Sequence, residues 1–343
     1  MSEWYQQLWW RERPSGAAYR ALSALLAPAE GAYRVAISAR AWAYDRGWLK
    51  SAAAPIPTLV IGNLTVGGTG KTPVTAWFAD RLRQSGRVPA IVMRGYGGDE
   101  VKVHRLLNSA VPIHVSTDRV TGVRQASERG ADVAVLDDAF QHRAIRADAN
   151  VVLVAVEGFM DSPRLLPRGP WREPLQALER ATLVVITRKV ASQEEAASVS
   201  RRLAELEPAL PRAQAHIGLS GIARYDGASG EIGEPVGLDG FRCALAVAGV
   251  ANPETVWAQL REAGVSVDRW RAFPDHHRYT QGEIAQITRE VAGGPLVTTL
   301  KDAVKLGQVL PAELEMYVPL QQVIWESGEE EIECLLANLS SGP

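Results

Sequence analysis

From Pro55 onward, short apolar runs alternate with longer stretches of mixed polarity. The runs at 58–61, 90–93, 113–115, 133–136, 151–156 and 183–186 are continuously apolar, the pattern of strands buried on both faces. Helical spacing separates some of them, at 73–85 and 121–128. Buried runs alternating with helices predict a mostly parallel sheet covered by helices on both faces, an α/β fold. Residues 221–238 are rich in Gly and read as a linker or β-ribbon. Beyond them a shorter α/β pattern begins with a strand at 244–247 and a helix at 253–263. It closes with a strand at 296–299 and a helix at 329–338. The pattern divides the chain into an N-terminal helical segment (1–54), a core (55–220), the linker or ribbon (221–238) and a smaller C-terminal α/β domain (239–343). No internal repeat is visible.

The first fifty residues differ from the rest. Two Ala-rich helical patterns are interrupted by Arg20, Arg34 and Arg40, and five of the ten Trp fall here: Trp4, Trp9, Trp10, Trp42 and Trp48. Seven basic against four acidic residues leave a local charge of +3. Trp, Tyr and Leu interleaved with Arg suit a helix lying in a membrane interface. They suit equally a helical cap packed on the next domain. No stretch reaches the roughly 18–20 apolar residues that span a bilayer, and a cleavable signal peptide is not expected.

Composition narrows the function classes. Hydrophobic residues at 46% and charged residues at 22% over 343 positions are ordinary for a globular chain. With 37 basic and 39 acidic residues the net charge is −2, so no global positive field is available to hold nucleic acid, and any anion site is local. Cys243 and Cys334 are too few for a disulfide framework and lack zinc-ligand spacing.

The local anion site is legible. Gly67-Gly68-Thr69-Gly70-Lys71-Thr72 follows a predicted strand and opens a predicted helix. Glycines let backbone N–H groups curl around phosphates, a Lys reaches the β/γ-phosphates, and a Thr hydroxyl binds Mg²⁺. Thr65, Val66, Gly67, Gly68, Thr69, Gly70, Lys71 and Thr72 are the candidate nucleotide-binding residues. Pro73 fits the first helical turn, where its missing N–H costs little. The strict form of this loop has Gly where Thr65 stands. A second acidic element, Asp137-Asp138, ends the apolar run 133–136 and so reaches the C-terminal edge of the sheet, where ligands bind in open α/β folds. Either carboxylate can hold Mg²⁺. Together the two motifs point to an ATP-using enzyme, a kinase or a ligase, or to an ATPase switch protein.

Five motifs then occur in order: Asn63-Leu64-Thr65-Val66-Gly67-Gly68-Thr69-Gly70-Lys71-Thr72-Pro73; Arg94-Gly95-Tyr96-Gly97; Asp137-Asp138-Ala139-Phe140-Gln141-His142; Leu166-Pro167-Arg168-Gly169-Pro170-Trp171-Arg172-Glu173-Pro174; and Phe273-Pro274-Asp275-His276-His277. With Thr299-Leu300-Lys301-Asp302-Ala303-Val304-Lys305 they cover nearly the whole chain, which resembles the tetraacyldisaccharide 4'-kinase (lipid A 4'-kinase) family. Thr65 belongs to that family's phosphate loop. The resemblance implies a P-loop kinase-like fold that transfers the ATP γ-phosphate, with Mg²⁺, to the 4'-hydroxyl of a tetraacylated glucosamine disaccharide 1-phosphate. It implies peripheral association with the cytoplasmic face of a bacterial inner membrane, and no obligate protein partner is inferred. A multiply acylated substrate stays in the bilayer, which favours the interface reading of the N-terminal helix.

By the same resemblance Gly98-Asp99-Glu100 supplies the catalytic base, Asp99, and a Mg²⁺ contributor, Glu100. His276 pairs with Asp99, and Lys71 completes the catalytic set. Thr72, Asp137, Asp138, Glu100 and Gln141 form the expected metal shell. Arg119, Arg172 and Glu173 are the expected substrate contacts, guanidinium groups being suited to phosphate. His104, His114, His216 and His277 receive no role. Three positions depart from the family pattern. Ala139 stands where Gly is usual, so a left-handed turn there would strain it. Gly98 follows Gly97 directly, where the family carries a long segment that helps set the place of Asp99. Leu300 replaces a common Glu.

Overall fold

A computed structural model describes residues 17–95, 98–160 and 163–340. Trp4, Trp9, Trp10, Arg11, Arg13, Tyr96 and Gly97 lie outside the described residues. The chain begins with a long helix, α1 (Ala17–Asp45), followed by β1 (Ala52–Ala53) and β2 (Thr58–Asn63). It continues through α2 (Lys71–Gln84), β3 (Pro89–Met93), α3 (Asp99–Leu107), β4 (Ile113–Val115), α4 (Arg119–Glu128) and β5 (Val133–Asp137). Then come β6 (Ile145–Arg146), β7 (Ala149–Ala155), β8 (Leu183–Arg188), α5 (Gln193–Leu206), β9 (Arg212–Tyr225) and β10 (Ile232–Val236). The C-terminal part holds β11 (Arg242–Cys243), β12 (Leu245–Ala248), α6 (Pro253–Glu262), β13 (Ser266–Val267), β14 (Trp270–Ala272) and α7 (Gln281–Val291). It ends with β15 (Leu296–Thr298), α8 (Leu300–Leu306), β16 (Met316–Ser327) and α9 (Glu329–Ser340).

The predicted strands are all present, and they join one sheet of order β4-β3-β5-β2-β7-β8-β9-β16-β15-β12-β14. Pairing is parallel on both flanks and antiparallel only where β9 meets β16 and where β10 folds back on β9. The stretch read as a linker or ribbon is thus partly the end of β9 and its hairpin partner β10. Strand β9 pairs with β8 over Arg212–His216, then runs on beside β16 to Tyr225. This long antiparallel ribbon is what connects the phosphate-loop half to the C-terminal half. The sequence shows it only as a weak alternation, with Ala213, Ala215 and Ile217 buried between polar neighbours.

Two apolar layers sandwich the N-terminal half of the sheet. Val74, Phe78 and Leu82 of α2 and Ile332, Leu335 and Leu336 of α9 cover one face. Val123 and Ala126 of α4, Ala196, Val199 and Leu203 of α5, and Leu165, Trp171 and Leu178 cover the other. Burial of such side chains contributes about 1.5–3 kcal/mol each relative to leaving them exposed. Helix α3 behaves differently. Although it lies early in the chain, Val103 joins the cluster of Leu245, Val247, Ile287, Ala303 and Leu306 in the C-terminal half. Asp99 and Glu100, at its N-terminus, are therefore carried between the two halves.

Candidate active site

The turn after β2 forms the expected loop. Gly67 and Gly70 have φ of 108° and 87°, conformations open to glycine but costly for other residues. Gly70 caps α2, with Val74 N–H donating back to its carbonyl oxygen (3.2 Å). Asn63 Nδ2 donates to Thr69 Oγ1 (2.9 Å), and Thr187 Oγ1 donates to the Thr69 carbonyl (2.9 Å). The Pro-rich loop braces the turn from outside: Val66 N–H bonds to Pro170 O (2.8 Å), and Thr65 bridges to Trp171. Thr65 and Val66 therefore anchor the loop from below, while Gly67, Gly68, Thr69, Gly70, Lys71 and Thr72 line a cleft of about 1260 Å³.

The two carboxylates at the end of β5 have separate surroundings. Asp137 is buried, and both its oxygens are engaged, by Thr75 Oγ1 (3.0 Å) and by His104 Nε2 (3.0 Å). Burial opposes its ionisation, but the His104 and Thr75 bonds and the Lys71 charge outweigh that and hold its carboxyl at about 2. Asp138 turns into the cleft, where Lys71 Nζ lies 3.7 Å away and Arg172 Nη1 donates to both its oxygens (2.9 and 3.2 Å). The left-handed residue in this turn is Asp138 itself (φ 48°), so Ala139 escapes the strain expected of it and is buried in the core instead. His104 was given no role from the sequence. It lies 33 residues from Asp137, and no local signal links them.

On the far wall, Glu100, Asp275, His276 and Lys301 line the same cleft. Asp99 lies behind them, its Oδ2 3.6 Å from His276 Nδ1 and 3.9 Å from Lys305 Nζ, while its buried Oδ1 has no partner. Burial opposes ionisation of Asp99, but His276 and then Lys305 prevail and bring its carboxyl to about 2. The same contact with Asp99 raises the pKa of His276 against the effect of burial. Gly98 (φ 74°) caps α3, and Asp99 in its first turn packs against His276 and Lys305 of the C-terminal half.

The remaining expected residues divide. Gln141 faces the cleft, its Nε2 donating to Asn63 O (2.9 Å) and its Oε1 3.4 Å from Arg172 Nη1. Arg172 stands between Asp138 and Gln141. Arg119 also reaches the cleft, but it is almost fully buried and donates to Ser116 O (3.0 Å) and Asp137 O (3.2 Å). Glu173 pairs with Arg180, whose guanidinium lies over Phe140 (4.2 Å), and it does not line the cleft. Arg40 and Lys189 line it as well. Lys189 Nζ donates to Gly68 O (2.9 Å), and Arg40 Nη2 donates to Gln141 O (3.1 Å). A Lys just past a strand and an Arg in a helix carry no sequence signal by themselves.

Helix α1 borders the site. Ser23, Glu30 and Ile37, spaced by seven, face the core; Glu30 accepts from Leu165 N–H (2.9 Å) and Arg168 (3.2 Å). Tyr33 donates to Arg172 O (2.9 Å). The opposite face is apolar and exposed at Leu25 (76%), Val35 (69%) and Trp42 (45%), with Trp48 (74%) just beyond. The cap and the exposed apolar face are thus two sides of one helix. No helix among the described residues is long and apolar enough to cross a membrane.

A family profile described as tetraacyldisaccharide-1-P 4'-kinase matches residues 22–339. The chain is 39% identical over 333 residues to a tetraacyldisaccharide 4'-kinase of Anaeromyxobacter dehalogenans, covering 90% of this chain and 87% of that one. It is 35% identical over 315 residues to that of Halorhodospira halophila, covering 86% and 88%. Among solved structures it is similar to LpxK from Aquifex aeolicus in complex with ATP, with a TM-score of 0.71, 27% identity and coverage of 93% of this chain and 99% of that one.

Proposed function

This chain belongs to the tetraacyldisaccharide-1-P 4'-kinase family, and from that premise we propose how its cleft works. It is a phosphotransferase with an alcohol acceptor: the γ-phosphoryl of ATP goes to the 4'-hydroxyl of a tetraacylated disaccharide 1-phosphate, a step in lipid A synthesis. A ligase, a soluble-metabolite kinase and an ATPase switch are not favoured.

The loop from Gly67 to Thr72 holds the phosphates, with Lys71 neutralising charge on the transferring group. Asp99 is the base. Its Oδ2 lies 3.6 Å from His276, which lines the cleft. Asp99 takes the hydroxyl proton as the new O–P bond forms and the β–γ bridge breaks, and His276 holds the carboxylate in place. Such a base is worth about 10²–10⁴ in rate. Arg172 and Arg119 suit phosphate recognition, and Glu173 acts by holding Arg180.

The cleft fits Mg²⁺. Thr72, Asp137, Asp138, Glu100 and Gln141 line it and offer hard oxygen donors. Mg²⁺ is usually held by one or two carboxylates together with substrate phosphates. When bound, the ion neutralises phosphate charge. The exposed apolar face of α1, beside the cleft, supports peripheral docking on the cytoplasmic face of the inner membrane.

One observation carries this reading: His276, with Asp99 behind it, and the phosphate loop, distant in sequence, meet across one cleft. Transfer of labelled phosphate from ATP to the acylated disaccharide, resolved by thin-layer chromatography, tests it. Asp99→Ala and Lys71→Ala should each lose product while remaining folded by circular dichroism. Wild-type turnover in either would sink the assignment.

A further inference from the structure

The motif Thr299–Lys305 matches the family pattern except at Leu300. It forms β15's exit and helix α8, and at its centre is Asp302, a carboxylate with no solvent exposure. Its oxygens are filled from four directions. Gly249 N–H (2.8 Å) and Thr299 Oγ1 (2.6 Å) donate to Oδ2. Tyr279 OH (2.9 Å) and Lys305 Nζ (3.1 Å) reach Oδ1. A buried charge is tolerated only with such full pairing. The clamp admits no spare volume: a Cβ on Gly249 would lie 2.8 Å from Asp302 Oδ1 and 3.2 Å from Tyr279 OH.

The clamp places Lys305. Its ammonium has three protons to direct. One goes to Asp302, one to the His277 carbonyl (3.4 Å), and the remaining direction faces Asp99 Oδ2 at 3.9 Å. The Nζ also lies 5.8 Å from the Tyr279 ring centre. His276 approaches the same Oδ2. Both partners thus meet one oxygen of Asp99, and Oδ1 is left without a donor. One helical turn away, Lys301 holds Glu100 (3.0 Å) rather than Asp99.

We propose that Lys305, set by the Asp302–Tyr279–Gly249 clamp, is a positioning residue for phosphoryl transfer: with His276 it fixes Asp99 Oδ2 and so holds the carboxylate at the His276 edge of the cleft. The inference rests on Asp99 being the base. It assigns the C-terminal half a part in the chemistry beyond His276, through a charge anchored in its own core.

Steady-state kinetics of the full chain, with ATP and the tetraacylated disaccharide 1-phosphate in mixed micelles, test it. Lys305→Met should lower kcat about tenfold or more, since misplacing a reacting group by an ångström costs up to about 10²-fold. KM for ATP should stay within about twofold, because the phosphate loop is untouched. Lys305→Arg should recover most of the loss. Asp302→Asn should also lower kcat, and the exposed Lys102→Met should not. In an Asp99→Ala background Lys305→Met should have no further effect. Unchanged kcat in Lys305→Met, or a full additional loss in the Asp99→Ala background, would overturn the proposal. If Asp99→Ala itself turns over normally, the base assignment fails, and this inference with it. Should Lys305→Met unfold, Lys305→Gln and Lys305→Arg carry the same comparison.

Discussion

On one wall of the cleft, six consecutive residues from Gly67 to Thr72 form the phosphate site, braced by Asn63, Thr187 and the Pro170–Trp171 edge. On the other, His276 lines the wall while Asp99 from α3 and the Asp302–Lys305 pair of α8 converge behind it from separate segments, and the Glu100–Lys301 contact joins residues 201 apart. The first wall is a local structure: backbone conformation and a helix N-terminus create it. The second exists because α3, tied to the N-terminal half by the His104–Asp137 bond, also packs Val103 among residues of the C-terminal half. A local site tolerates rearrangement elsewhere, whereas a converging one depends on how the two halves meet.

Mutations should separate the two walls. The largest effect is expected of Lys71→Ala. Transfer should fall at least about 10²–10³-fold, while Asp99–His276 and the fold stay intact, as read by labelled-phosphate transfer and thermal melting. On the converging wall, His276→Ala should lower kcat by roughly 10-fold to 10²-fold, less than the loss of the base itself, with ATP binding retained in a nucleotide titration. Equal loss of nucleotide binding would show that the walls are not separable.

His104→Ala probes a residue that links them, since it sits on α3 but bonds to Asp137 behind the phosphate loop. Removing it leaves a buried carboxylate oxygen without its donor, which costs about 1–3 kcal/mol. A lowered urea midpoint is expected, together with reduced turnover.

Acid should reach both walls. The carboxyls of Asp99 and Asp137 are held at about 2 in the folded chain, below the ordinary carboxylate value near 3.8. A group with a depressed folded pKa stabilises the protein above its unfolded pKa and loses that contribution as pH falls toward its folded value. Stability from these two groups should therefore be full at pH 6 and decline between about pH 4 and 2. Urea midpoints across that range, compared with those of Asp99→Asn and Asp137→Asn, give the check.

The smallest effect on the folded chain should come from the outer face of α1. Trp42→Ser with Trp48→Ser removes an edge-to-face ring pair (4.6 Å) on a largely exposed face and should lower stability by only about 0.5–1.5 kcal/mol. The same pair should weaken co-sedimentation with anionic vesicles several-fold. Retained vesicle binding would leave the docking to other residues.

Legibility in the sequence followed the same division. The six strands of the N-terminal core, the phosphate loop and the acid pair were readable because each is a contiguous pattern with its own period or spacing. The β9–β16 ribbon was not, since β9 signals itself only through Ala213, Ala215 and Ile217, and β16 was missed altogether. The family resemblance named Asp99 and His276 but not why they meet. The support given by His104 carried no signal, and Asp302 and Lys305 stood out only as part of a motif without a role. A lone His or Lys on a helix looks the same whether it faces solvent or a buried carboxylate.

The chain's own order of residues determined the alternating α/β pattern, the cradle at Gly67–Thr72, the acids at the end of β5 and an N-terminal helix rich in Trp and Arg. Those follow from backbone preference and local periodicity, which act over a few residues. Tertiary structure alone decided that Asp137 is tied down and Asp138 faces the cleft, that Lys305 and His276 share one oxygen of Asp99, and that α1 turns one face to the core and the other outward. The physical reason is that ion pairing and burial depend on distances through space, and these are set only once the sheet has closed across the β9–β16 ribbon.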